Sequence, residues 1–157
     1  MILLIDFVNN NNFPRRAAGA PMDNKGFIFS TRILMADNSV KLLGNLVPGD
    51  KIKAVNEKLE IVEDEVTSLI KNENVNCSVI GDIICGNNQT FYNPVFLIDI
   101  KSKDYRATNN SAILTIIDDK LVKIQKVGSK PNPLLRQVYQ LRTKNGFRYF
   151  ANEILTK

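Results

Sequence analysis

Few side chains in this chain can do chemistry near neutral pH, and their types set the options. Histidine is absent from all 157 residues. Imidazole acid/base catalysis and histidine-containing metal sites are therefore excluded. Two cysteines, Cys77 and Cys85, are too few for a four-thiolate zinc site. They either pair across a hairpin-like loop, if their Cα atoms approach closely, or stay as small buried thiols in a reducing compartment. Carboxylates crowd together at Glu63-Asp64-Glu65. Such groups do acid/base work when their environments differ, but a run of three between strands reads as a solvated turn. Ser30 and Thr31 are the remaining nucleophile candidates near the organising stretch, and a hydroxyl without an adjacent base is a poor nucleophile. The inventory implies no metal, no cofactor and no small-molecule substrate.

The elements that would position these groups read as strands. Gly26 to Val55 organises the chain. Phe27, Phe29, Thr31 and Ile33 alternate as one face of a half-buried strand. Ala36-Asp37-Asn38-Ser39 supplies a turn and Val40 and Leu42 resume the alternation. Val47-Pro48-Gly49-Asp50 predicts a type II turn, with Pro presetting one dihedral and Gly accepting positive φ. Lys51 to Val55 leaves it as a strand. Further on, Lys58 to Ile70 alternates imperfectly, and Asn72 to Asn93 surrounds a short apolar core as an inserted hairpin. Pro94 to Ile100 reads as a strand, Ile116 to Val127 as a hairpin turning at Asp118-Asp119, and Gly128 to Pro133 as a loop. Asn145-Gly146, between Val138–Thr143 and Phe147–Leu155, is the strongest short hairpin signal in the chain.

Three of these stretches, in order, resemble signatures of the Hint module, the fold shared by inteins and Hedgehog autoprocessing domains. Phe27, Thr31, Ile33, Asp37, Asn38, Gly49 and Asp50 fall in register with its opening. Thr108-Asn109-Asn110-Ser111-Ala112-Ile113-Leu114-Thr115 is similar to the second signature, where Thr-x-x-His precedes an apolar run. Phe150-Ala151-Asn152-x-Ile154-Leu155 is similar to the closing one. The resemblance implies an all-β, compact Hint-like fold of β-hairpins over residues 26–157, with 1–25 as an extended N-terminal arm and linker.

The same resemblance assigns the reacting positions. Gly26 stands where the family carries its nucleophile, and Ser111 where it carries the histidine that polarises the scissile amide, with Thr108 as the matching threonine. The sequence reaches Thr156-Lys157 where inteins run on to His-Asn and the downstream nucleophile. Gly26, Thr108, Ser111 and Lys157 are thus vestigial positions, and the expectation is a catalytically inactive member. Loss of a general acid or base alone costs about 10²–10⁴-fold in rate.

The composition sets the remaining bounds. At 44% hydrophobic and 24% charged, the chain is globular, with a core of one domain. A net charge of +5 is mildly basic, but Lys and Arg are scattered, so nucleic acid is not the expected partner. No apolar run spans a bilayer. Met1 to Ile5 begins like a signal segment, but Asp6 interrupts it and no basic region precedes it. The expected location is the cytoplasm or an intracellularly assembled particle. Met1 to Val8 is apolar and β-prone, joined to the domain through Asn9–Asn12 and a linker holding Pro14 and Pro21. Such an arm either folds back as an edge strand or adds to another chain's sheet. Ile2, Leu3, Leu4, Ile5, Phe7, Val8, Phe13, Arg15 and Arg16 are its expected partner-binding residues. Three functions follow. The first is a structural or protein-interaction module, possible within an assembly such as a viral particle. The second is a residual self-cleaving domain using Ser30, Thr31 or Cys77 near Lys25-Gly26. The third is a basic nucleic-acid-binding β-domain.

Overall fold

Strand-forming residues separated by short polar turns dominate the chain, and the backbone follows them. The structure, a computed structural model, describes residues 24–157. In chain order the strands are β1 (Arg32–Leu34), β2 (Val40–Leu42), β3 (Lys51–Val55), β4 (Ile61–Val75), β5 (Cys77–Ile80), β6 (Ile83–Gly86) and β7 (Thr90–Asn93). They continue as β8 (Ile98–Lys101), β9 (Ile113–Ile117), β10 (Lys120–Ile124), β11 (Ser129–Pro131), β12 (Arg136–Thr143), β13 (Arg148–Ala151) and β14 (Ile154–Thr156). Short 3-10 turns at Leu43–Asn45 and Ser102–Asp104 are the only helical elements among the described residues. The chain is all-β. No helix among the described residues is long and apolar enough to cross a membrane.

One sheet runs β10-β9-β14-β13-β3-β4-β12, with β1–β2 joined at β13 and β7–β8 joined at β14; a second runs β11-β5-β6. Phe27 ties them together by bridging Tyr139 of β12 and Cys85 of β6. Its ring is fully buried and meets Phe91 and Tyr149 edge-on, at centroid distances of 6.2 and 6.5 Å. Ile33, Leu43, Ile52, Val66, Ile83 and Tyr149 complete the core around it. Full burial of each large apolar side chain contributes about 2–3 kcal/mol before entropy.

The turns obey their side chains. Asn38 adopts φ 70° and Gly49 φ 97°. The Asp50 amide donates to Val47 O at 3.1 Å, closing the type II turn. The β9–β10 turn has positive φ at both Asp118 (51°) and Asp119 (60°), which matches the right-handed twist of its strands. The β5–β6 hairpin falls inside Asn72–Asn93, as expected.

Five local expectations change. Phe27 to Ile33 is not one strand: the chain turns at Phe29-Ser30, the Thr31 amide donates to Ile28 O, and Phe29 is 43% exposed. Pro94 to Leu97 is a turn rather than strand, because Asn93 Oδ1 accepts from the amides of Val95 and Phe96, and only Ile98–Lys101 pairs. Part of the 128–133 loop is β11, paired with β5. Asn145-Gly146 does not close a hairpin. β12 pairs with β4 and β13 with β3, so the dipeptide turns a corner between strands that are not neighbours.

The acidic run is the fifth change. It lies within β4, where the two-residue period exposes Glu63 and buries Asp64. Asp64 Oδ1 accepts from the amides of Glu65 (2.8 Å) and Asn145 (3.0 Å) and from Asn145 Nδ2 (3.2 Å), while Oδ2 accepts from the Phe147 amide at 3.2 Å. This carboxylate therefore shapes the corner that Asn145-Gly146 turns. Asp64→Ala removes the shared acceptor of these part-buried donors, and the expected loss is about 1–3 kcal/mol, read as a lower urea midpoint at unchanged m-value.

Asp50 carries a pH-dependent contribution. A hydrogen bond from Lys41 Nζ at 2.8 Å, followed by one from the Val47 amide, holds its carboxyl below the usual range. A depressed carboxyl contributes stability above its unfolded pKa, and that contribution is lost as pH falls through the folded value. Asp50→Asn is expected to flatten the stability curve below about pH 4 and leave its slope near neutrality unchanged, measured by thermal unfolding against pH.

Candidate functional site

Gly26 is wedged between three elements. Its amide donates to Gln89 Oε1 at 2.9 Å, and its carbonyl accepts from the Gly86 amide at 2.9 Å. Its φ is 113°, a conformation that L side chains rarely adopt, and a Cβ built here would stand 2.6 Å from Tyr139 O and 2.8 Å from Tyr139 C. The neighbouring backbone is paired in turn: the Phe27 amide donates to Tyr139 O at 3.0 Å and the Tyr139 amide to Phe27 O at 2.7 Å. A nucleophile-bearing side chain has no room at this position without a backbone shift.

Gln89 connects this position to the last strand. Buried at 2% exposure in the turn before β7, its Nε2 donates to Thr156 Oγ1 at 2.8 Å and to Lys157 O at 3.1 Å. Thr156 Oγ1 then donates to Thr90 O at 2.6 Å, and the Lys157 amide to the same carbonyl at 3.2 Å. One carboxamide thus holds Gly26 and Lys157 together. Its pattern is complete, with the oxygen accepting and the nitrogen donating both protons. A carboxamide neither takes nor gives a proton near neutral pH, so the clasp positions backbone and transfers nothing.

Thr108 and Ser111 form a separate closure. The Ser111 hydroxyl donates to Thr108 O at 2.7 Å and accepts from the Thr108 amide at 2.9 Å. Ser111 is buried and Thr108 exposed. The loop is fastened to β7: Asn93 Nδ2 donates to Asn110 O at 2.8 Å, and the buried Tyr105 hydroxyl lies 3.2 Å from both Phe91 O and Ala112 O. Beside it lies a cleft of about 210 Å³, lined by Phe96, Ile100, Tyr105 and Arg106 as well as Thr108 and Ser111. Of the four expected positions, the fold joins Gly26 with Lys157 through Gln89, and Thr108 with Ser111 directly.

The other nucleophile candidates are scattered. Ser30 is exposed at a turn, and Thr31 is buried with no hydrogen-bond partner for its hydroxyl. Cys77 and Cys85 are free buried thiols on neighbouring strands. Burial pushes Cys77 up to about 11, against a weaker pull from Arg136, and Cys85 up to about 12. Thiolate is the reactive form, and burial favours the protonated thiol at both positions. Among the described residues no group of three or more His, Cys, Asp or Glu stands close enough to hold a metal ion.

Three anchors were not singled out from the sequence. Gln89 lay in an Asn-rich stretch without pattern. Lys53 is buried within β3, where its Nζ meets Asn38 Oδ1 and, at 2.6 Å, Asp119 Oδ1, tying two turns to one strand. Arg148 is buried on β13, forks onto Asp99 at 3.1 and 3.0 Å, and lies 4.6 Å over the Tyr92 ring. For Lys53 and Arg148 the available signal was a cation at an inward-facing place in an alternating strand.

The backbone as a whole aligns with solved intein structures. The DnaB intein from Synechocystis sp. PCC 6803 superposes with a TM-score of 0.72 over 84% of this chain and 96% of that one, at 13% identity. A bacterial intein-like domain from Clostridium thermocellum aligns with a TM-score of 0.65 over 84% and 97%, at 20% identity. This is the Hint fold. The gp41-1 intein, at a TM-score of 0.59 and 18% identity, covers 85% of this chain and 98% of its own. No protein-family model and no curated protein sequence matches the chain. The Hint-like core is therefore carried by backbone geometry at low sequence identity. The arm residues Ile2, Leu3, Leu4, Ile5, Phe7, Val8, Phe13, Arg15 and Arg16 lie outside the described residues.

Two outcomes test this geometry. Gln89→Leu strands the Gly26 amide and the Lys157 carbonyl, and is expected to lower stability by about 1–3 kcal/mol in chemical denaturation. Iodoacetamide at neutral pH is expected to leave Cys77 and Cys85 unlabelled in the folded chain and to label both in denaturant, read by intact mass.

Proposed function

We propose that this chain is a Hint-fold β-domain that has kept the scaffold as a structural or protein-interaction module and does not process itself. The backbone at Gly26 carries this reading. A φ of 113° and a Cβ position 2.6 Å from Tyr139 O leave no room, without a backbone shift, for the side chain that would begin the chemistry. The Ser111 hydroxyl supports it, since it is closed within its own turn and a serine hydroxyl does not ionise near neutral pH as a proton-relaying group must. Raised thiol pKa values at Cys77 and Cys85 point the same way. The N-terminal arm is the proposed contact to a protein partner, through Ile2–Ile5, Phe7, Val8, Phe13, Arg15 and Arg16, and a subunit role in a larger assembly fits a small β-domain bearing such an arm. Scattered basic residues favour a protein over a nucleic acid as that partner.

The deciding experiment is the intact mass of the full chain with a reporter fused at each end, incubated with and without thiol. A single uncut species is expected. A fragment beginning at Gly26, lost on changing Ser30, Thr31 or Cys77, would replace this reading with self-cleavage. Restoring a thiol by Gly26→Cys is expected to give no cleavage and to lower stability by about 1–3 kcal/mol through backbone strain.

A further inference from the structure

β10 is a sheet edge with unusual side chains. Among the described residues it pairs with β9 alone, from Lys120↔Ile117 to Ile124↔Ile113. Residues opposite each other share a face, so Val122 and Ile124 extend the row begun by buried Thr115 and Ile113. There the cover ends: Val122 is 38% exposed, Ile124 40% and neighbouring Ile117 55%. On the other face Leu121 packs with Leu114 in the second core cluster. An edge strand apolar on both faces is a template for another strand.

Its charges select the occupant. In the antiparallel register that sets Lys120 opposite Lys123, pairing of two β10 edges brings like charges together, which disfavours that register. The arm has the opposite character. Ile2 to Val8 carries six apolar residues and one charge, the acid Asp6. Fifteen residues separate Val8 from Asn24, a tether that reaches up to about 50 Å. A folded body of this size has a radius of gyration of about 14 Å, so the tether is long enough to reach a neighbouring molecule as well as the edge of its own.

We propose that β10 is the docking edge for the Ile2–Val8 segment of a second copy of this chain, added as an antiparallel or parallel strand by β-augmentation. Reciprocal exchange of arms then closes a two-fold dimer. This rests on the reading of the arm as a protein contact and names both its partner and its site.

Full-length protein is compared with Ile5→Asp and Val122→Asp by light scattering on a sizing column, with circular dichroism confirming that each variant is folded. The expected result is a dimer for the native chain and half that mass for both variants. A disulfide between Ile5→Cys on one tagged copy and Val122→Cys on a differently tagged copy is expected as a second readout. If Ile5→Asp dissociates the dimer and folded Val122→Asp does not, the β10 site is wrong and the arm contact stands. A native chain that is monomeric at every concentration overturns self-association, as does a cysteine link formed only within one copy, which would mean that the arm folds back. Should Val122→Asp fail to fold, the cross-link decides: its absence between copies overturns the proposal.

Discussion

Everything in this domain depends on one short seam. Residues 26–28 are threaded between β12 and β6, with paired backbone bonds to Tyr139 on one side and bonds from Gly86 and to Ile84 on the other. The seam satisfies strand edges that would otherwise be buried without partners. It also delivers Phe27 to the centre, where Phe91 and Tyr149 meet it edge-on. Because the backbone itself is the wedge, its first residue has to be small. Gly26 fits that close approach: a Cβ built there would stand 2.6 Å from Tyr139 O.

Around the seam, buried polar groups do what helix packing does in other folds. Short strands with tight turns bury little per element, so the turns need fastening. Lys53 reaches Asn38 and Asp119, Arg148 reaches Asp99, and Asp64 gathers the Asn145 corner. Each is a charged group buried with its partners satisfied, the condition under which burial is tolerated. Losing one partner is expensive because the other stays buried. The same rule explains Gln89, whose carboxamide meets one acceptor need and two donor needs at the meeting point of the module's two ends.

The groups at the Gly26 clasp and the Thr108–Ser111 turn are amides and hydroxyls joined by hydrogen bonds, and burial raises the pKa of both thiols. What the domain offers outward is a different kind of feature: an apolar edge at β10 and an ordered apolar turn at Val95–Ile98.

How much of this was legible in the sequence divides along a physical line. Local turn chemistry was readable, because Asp37 accepts from the Ser39 amide, Gly49 has no Cβ, and Asn and Asp residues such as Asn38, Asp118 and Asp119 tolerate positive φ. The all-β class and the module's ordered signatures were readable for the same reason, since alternation is a local property. Pairing was not. Asn145-Gly146 has a hairpin's local preference, yet Asp64, 81 residues away, bends it into a corner. Pro94–Leu97 is apolar enough for a strand, yet Asn93 captures its amides. Glu63-Asp64-Glu65 looked solvated until β3 and the corner supplied donors to its middle member. The sequence could show that residue 26 is glycine; only the tertiary structure shows what crowds it, because the neighbouring atom belongs to Tyr139, which long-range pairing alone brings within 2.6 Å of a Cβ built there.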